Sequence, residues 1–209
     1  DIRRVLAMAG MNITASEAFS SIKRAIPDLD DDTTGTNTYE GKTVPTVPEP
    51  ESDIVAVRYR RGPTCDGYAG DKPEGLLLSE VPVTVRFSVV NDVLMCQVTG
   101  KTEKPLVSGV KLMKALYGVD DNADGYANRY LTASAVKLED KWRNIVSIRV
   151  GLVVDSGEQS QPLDMRSKTA QDLSLLGMTY TVPANDEKLY KVFSTTVQLR
   201  NLNAIMQKQ

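Results

Sequence analysis

The stretch Val83-Thr84-Val85-Arg86-Phe87-Ser88-Val89-Val90-Asn91-Asp92-Val93-Leu94-Met95-Cys96-Gln97-Val98 decides the fold class. Val83, Val85, Phe87 and Val89 alternate with Thr84, Arg86 and Ser88, and Leu94, Cys96 and Val98 resume one apolar face beyond Asn91-Asp92. Successive side chains of a strand point to opposite faces, so a period of two describes strands with one face turned inward. Asn and Asp tolerate the left-handed backbone of a two-residue hairpin turn, so the second half folds back on the first.

The same period recurs to either side. Val55, Val57 and Tyr59 alternate with Ala56, Arg58 and Arg60. Residues 106–117 read as one further strand, less cleanly alternating. In 145–154, Val146, Ile148, Val150, Leu152 and Val154 point inward and Ser147, Arg149 and Gly151 outward. The last strand is 189–200, with Phe193, Thr195, Val197 and Leu199 on one side. Such patterning predicts antiparallel sheet with one wet face.

Helical signals come first in the chain. Ile2, Val5, Leu6 and Ala9 form an apolar stripe over residues 1–10, stopped by Gly10. That helix lacks a cap and a lead-in, as a truncated helix would. Thr14 and Glu17 frame a capping box for a second helix, whose face is Ala15, Ala18, Phe19, Ile22, Ala25 and Ile26 and which Pro27 ends. Helices before strands predict an α+β fold. Residues 28–52 hold Asp28, Asp30, Asp31, Asp32, Pro45, Pro48 and Pro50 without periodicity, and read as a long surface loop. The acidic cluster reads as solvated loop. Too little chain precedes it for a separate domain, so 1–209 reads as a single domain.

Composition removes whole classes of function. The 209 residues include no histidine, which excludes Ser-His-Asp and Cys-His catalysis and histidine-ligated metals. A net charge of −2 offers no basic field for a nucleic-acid backbone. No apolar run reaches the roughly 20 residues of a membrane span. No nucleophile elbow, P-loop or dinucleotide fingerprint is present; the 27 acidic residues leave carboxylate pairs as acid–base candidates, but none sits in a recognisable motif.

Asp120-Asp121-Asn122-Ala123-Asp124-Gly125 matches D-x-[DN]-x-[DN]-G, the opening of an EF-hand calcium loop. Asp120, Asn122 and Asp124 would supply side-chain oxygens, Tyr126 its carbonyl, and Asn128 a side chain or a water. The twelfth position is Leu131, so the bidentate glutamate is missing and any calcium is held weakly. The competing reading is an Asp/Asn/Gly turn that caps its own backbone. Trp142 reads as core, and Arg58, Arg60 and Arg61 as a solvated strand face. Cys65 and Cys96 are either two unrelated thiols or one disulfide.

Four blocks together carry a resemblance. Met8-Ala9-Gly10 closes a helix that opens Asp1-Ile2-Arg3. Cys65-Asp66-Gly67 accompanies Leu94-Met95-Cys96. Tyr117-Gly118-Val119-Asp120 runs into Asp124-Gly125 and Tyr130. Trp142-Arg143-Asn144-Ile145-Val146-Ser147-Ile148-Arg149-Val150 precedes Val192-Phe193-Ser194-Thr195-Thr196-Val197-Gln198-Leu199-Arg200-Asn201. In this order they resemble the PilW-type minor pilins of the type IV pilus, related to the J-type minor pseudopilins of type II secretion.

The resemblance implies a pilin-like head, a truncated N-terminal helix on antiparallel sheet, with Cys65 and Cys96 disulfide-bonded. It implies a structural subunit that helps prime pilus assembly in a tip complex with other minor pilins. Its location would be periplasmic, anchored in the inner membrane by an N-terminal apolar helix absent from these residues, and later extracellular in the pilus. Twitching motility and adhesion would follow from the fibre. No nucleic-acid site is visible, and the isolated head is expected to be monomeric. A type II secretion pseudopilin and a calcium-dependent adhesin are the alternatives.

Overall fold

Asn91 and Asp92 both adopt left-handed backbone, with φ of 50° and 61°, and join two strands as the sequence predicts. In the computed structural model, which describes residues 2–11, 51–60, 64–65, 83–157, 162 and 167–201, this hairpin is the centre of one sheet. Its strands are β1 (Val55–Tyr59), β2 (Val83–Val90), β3 (Val93–Val98) and β4 (Lys104–Ser108), antiparallel in the order β1-β2-β3-β4. Phe87 sits between Val55 and Cys96 across the sheet.

A second antiparallel sheet has the order β10-β7-β5-β6, from β5 (Val110–Val119), β6 (Arg129–Leu131), β7 (Ile145–Asp155) and β10 (Tyr190–Gln198). The inner faces of the two sheets share one core, with Val57, Phe87, Met113, Tyr117 and Ile148 fully or almost fully buried. Val5 and Leu6 of a five-residue helix, α1 (Ile2–Leu6), and Ala9 beyond it enter the same core. The helix expected over 1–10 is α-helical only to Leu6, and turns carry the chain on through Gly10, whose φ is 77°.

Several expectations are corrected. The described residues are largely β rather than α+β: their α-helical parts are α1, a six-residue α2 (Ala133–Leu138) capped by the Thr132 hydroxyl, and the two residues Arg200 and Asn201. The expected helix from Thr14, and most of the 28–52 loop with its aspartates, lie outside the described residues. The single strand expected over 106–117 is two strands in different sheets, because the chain turns at Gly109.

The outer face of β7 is not wet throughout. Ser147 and Gly151 are buried, and a hairpin of β8 (Gln171–Leu175) and β9 (Met178–Val182) covers part of that face. It forms a second core of Leu112, Val153, Leu175, Tyr180 and Val182. A side chain at Gly151 would collide with Leu175, so the hairpin seats against bare backbone. Arg58 and Arg60 are half-buried, and Arg58 Nε donates to Thr84 Oγ1 at 2.9 Å. Val197 and Leu199 point inward as expected, but Phe193 and Thr195 are exposed, because β10 is an edge strand.

The turn at Gly109 is sealed by Asp155. The Asp155 amide donates to the Gly109 carbonyl at 2.7 Å, and the Val110 amide to the Asp92 carbonyl at 2.9 Å. The Asp155 side chain, 1% exposed, accepts from Lys188 Nζ (2.7 Å) and the Gly157 amide (2.8 Å), with Lys111 Nζ at 3.6 Å. Burial by itself raises this carboxyl, but the Lys188, Gly157 and Lys111 interactions outweigh it and hold it below its ordinary 3.8.

A carboxyl lowered on folding stabilises above its unfolded pKa, and that contribution is lost as pH falls through the folded value. Urea unfolding should therefore give steady stability near neutrality and a decline below about pH 4. Asp155→Asn should flatten the acid decline and cost about 1–3 kcal/mol at pH 7.

Candidate functional site

Between β5 and β6, residues 120–128 form a compact loop whose acceptors meet its own donors. Asp120, 3% exposed, accepts from the Asn122 amide (3.2 Å) and the Gly125 amide (2.7 Å). Asp124 accepts from the Tyr126 amide at 2.8 Å and from Asn122 Nδ2 at 3.0 Å. Asn128 Oδ1 accepts from the Asp121 amide at 2.7 Å. Ala123 and Gly125 take left-handed backbone, with φ of 61° and 86°, which tightens the turn.

Asp121 faces away from this set. It pairs with Arg129 Nε at 2.7 Å and Lys141 Nζ at 3.0 Å, and Arg129 reaches on to Glu139 at 2.5 Å. Hydrogen bonds from Arg129 and then Lys141 bring the Asp121 carboxyl down to about 2. The structure thus places Asp120, Asn122, Asp124, Tyr126 and Asn128 in one loop. Among the described residues, no three acidic or cysteine side chains form a metal-holding group. Leu131 stands on β6 opposite Tyr117, so it contributes no oxygen. The side-chain oxygens of Asp120, Asp124 and Asn128 accept from the loop's own amides, the turn chemistry of Asx residues; a calcium ion here is a proposal that must compete with those bonds.

Around the loop, separated parts of the sequence meet. The Asp120 amide donates to the Asn144 carbonyl (2.8 Å), and Asn144 Nδ2 donates back to the Asp120 carbonyl (3.1 Å). Trp142 lies edge-on to Tyr117 with centroids 5.5 Å apart, in the core as the sequence predicts. The Arg149 guanidinium stacks 4.0 Å from the Tyr130 ring centroid, and its Nε donates to Thr196 Oγ1 at 3.2 Å. Gln198 Nε2 donates to the Gly125 carbonyl at 3.1 Å. Asn201 Nδ2 donates to the Ala7 carbonyl at 3.1 Å, which ties the end of the described chain to its beginning.

Cys65 and Cys96 are disulfide-bonded, with Cα atoms 6.3 Å apart and a sequence separation of 31. The bond fastens Cys65 to the middle of β3.

Sequence reading missed the buried pair Asp53–Lys114, at 2.5 Å, whose carboxylate also accepts from the Ala115 amide at 2.8 Å. The signal was a lysine inside the apolar run Leu112-Met113-Lys114-Ala115-Leu116. It also missed a groove of about 470 Å³ between the sheets, beside Phe193 and Val107.

A family model described as type IV pilus-assembly protein W matches residues 84–201, which run from β2 past the end of β10. The solved structure of a type IV-like pilin from Thermus thermophilus aligns with a TM-score of 0.48 and 14% identity, over 97% of this chain and 92% of that one. No curated protein matches the chain.

Two measurements follow from this geometry. Asp120→Ala strands two amides and should cost about 1–3 kcal/mol, and calcium up to about 1 mM should leave the wild-type melting temperature unchanged. A calcium-dependent rise that Asp124→Ala abolishes would establish the ion instead. Thiol titration of unfolded, unreduced protein should find no free cysteine. Reduction should cost about 3–4 kcal/mol for a loop of this size on the chain-entropy account.

Proposed function

The chain belongs to the PilW family of type IV pilus-assembly proteins, and from that premise we propose that it is a minor pilin, a structural and not a catalytic subunit. The single observation that carries the reading is the family match over residues 84–201, which takes in strands of both sheets. The proposed role is to help prime pilus assembly in a tip complex with other minor pilins, through lateral contacts of a single-domain head.

The head would act in the periplasm and then outside the cell as part of the fibre. The reading calls for an inner-membrane anchor, an apolar helix of about 20 residues; no described helix is long and apolar enough to cross a membrane. The Cys65–Cys96 disulfide supports an oxidising compartment, where such bonds persist. Isolated heads should associate weakly, since contacts between them would be small and partly polar.

Deletion of the gene in its source bacterium should abolish or sharply reduce surface pili and twitching motility, and the intact gene should restore both. Unchanged piliation with loss of exoprotein secretion would transfer the subunit to a type II secretion machine. Unchanged piliation with loss of calcium-dependent attachment would make it an adhesin. The upstream gene sequence should encode a leader and roughly 20 apolar residues.

A further inference from the structure

Each outer edge of the two four-stranded sheets is closed or blunted among the described residues, except one. The edge of β1 is joined by residues 10 and 11: the Gly10 amide donates to the Arg58 carbonyl and the Arg60 amide to the Met11 carbonyl, both at 2.8 Å. β4 carries Lys104, Pro105 and a register break opposite Leu94 and Met95, devices that frustrate further pairing. β6 has three residues, and beside it the Asp53 amide already donates to the Met113 carbonyl. β10 has nine residues, ends its sheet, and carries neither proline nor register break.

One bond sets the phase of that edge. The Leu199 amide donates to the Val146 carbonyl at 2.8 Å, so this pair shares ladder bonds. Antiparallel pairs alternate between bonded and unbonded. Along the register, Val197, Thr195 and Phe193 therefore bond to Ile148, Val150 and Leu152. Val192, Ser194 and Thr196 direct their amides and carbonyls away from β7, and nothing described pairs with them. An exposed row of this kind is a template for another strand.

The groove lies beside this edge. Leu106 and Val107 of β4 form one wall, Val150 and Leu152 of β7 the floor, and Phe193 of β10 the other wall. Val107 and Phe193 are each 50% exposed. Among the described lining residues Arg3 alone is charged, and it is exposed. Lys191 Nζ lies 5.5 Å from the Phe193 ring centroid. β10 holds Lys191 and no carboxylate. A second copy pairing antiparallel through its own β10 would offer Arg3 and Lys191 no carboxylate, whereas an acidic strand would complement them.

We infer that the free edge of β10 docks an extended segment of a partner protein as a fifth strand. Its apolar side chains, at alternate positions, enter the groove, and its carboxylates meet Arg3 and Lys191. This goes beyond the pilus reading and does not depend on it, since the edge and groove belong to the fold.

The probe is the acetylated and amidated peptide Glu-Val-Thr-Val-Thr-Val-Glu, titrated into the protein with amide hydrogen exchange followed by NMR. Binding at about 1 mM or tighter is expected to slow exchange at Val192, Ser194 and Thr196. Ser194→Pro removes an edge donor without touching the β7 ladder, and should weaken binding at least about tenfold. If that variant does not fold, Thr196→Pro and a probe N-methylated at alternate amides make the same cut from either side. Arg3→Glu, or lysine in place of both probe glutamates, should also weaken binding. No protection of those three amides, or binding indifferent to the edge substitutions and to N-methylation, overturns the inference. A homodimer that Ser194→Pro dissociates overturns the choice of occupant. The pilus assay needs no peptide and the peptide assay no pilus, so each fails separately.

Discussion

The passage of the chain from one sheet to the other at Gly109 is the constraint on which the rest of the structure depends. Its φ of 79° lies where side chains are disfavoured, and a Cβ there would stand 2.7 Å from Asp155 Oδ1 and 2.9 Å from the Asp155 carbonyl. Only glycine permits that approach. The turn sends β4 into one sheet and β5 into the other, so the two apolar faces meet across a shared core. Asp155 then fixes the corner through its backbone and its carboxylate. Lys111 pairs with Asp92 of the β2–β3 turn, which ties the hairpin to the same point.

Strand content was legible because a period of two survives wherever one face is apolar. The β2–β3 hairpin and β7 could be read directly, as could the inward Val197 and Leu199. The sheet change at Gly109 was not legible, because residues 106–117 are apolar on both sides of a glycine whose required φ leaves no mark in sequence. The cover over Gly151 was not read either. It comes from β8 and β9, whose Leu173, Leu175, Met178, Tyr180 and Val182 keep the period of two, but that pattern does not say which sheet face they seat against. For the candidate site, the residues of the 120–128 loop were legible as a motif. Whether their oxygens face a cation or their own amides is a matter of orientation, which residue type and spacing do not determine.

The charges inside the molecule show a similar separation. Asp53 and Lys114 are far apart in sequence and nearly fully buried together. Removing either partner alone would leave a buried charge, at a cost of about 3–5 kcal/mol. Asp53 stands just before β1 and bonds to the edge of β5, so this pair marks the other crossing between the sheets. Among the described residues, Asp53 and Asp155 thus sit where the chain passes between the two sheets, while the third buried aspartate, Asp120, holds its own loop. Apolar packing alone is non-directional and would tolerate a slip there, whereas a carboxylate with a fixed set of donors specifies one register.

The sequence blocks that carry the family resemblance meet at joints. Asn144 brackets Asp120, Arg149 covers Tyr130, Gln198 reaches Gly125, and Asn201 reaches Ala7. These contacts explain how such blocks hold one architecture, and they leave partner choice to other positions. The final block divides along its length in this respect. Val197, Leu199 and Asn201 turn inward or close a joint, while Phe193, Ser194 and Thr195 are exposed beside the groove. Burying apolar surface is worth roughly 25 cal/mol per Å², so a half-exposed phenylalanine on a strand edge is a source of binding energy that folding leaves unused. Substitutions at that end of β10 can alter what docks there without disturbing the joints, because the ladder to β7 and the contacts of Asn201 are made by other atoms.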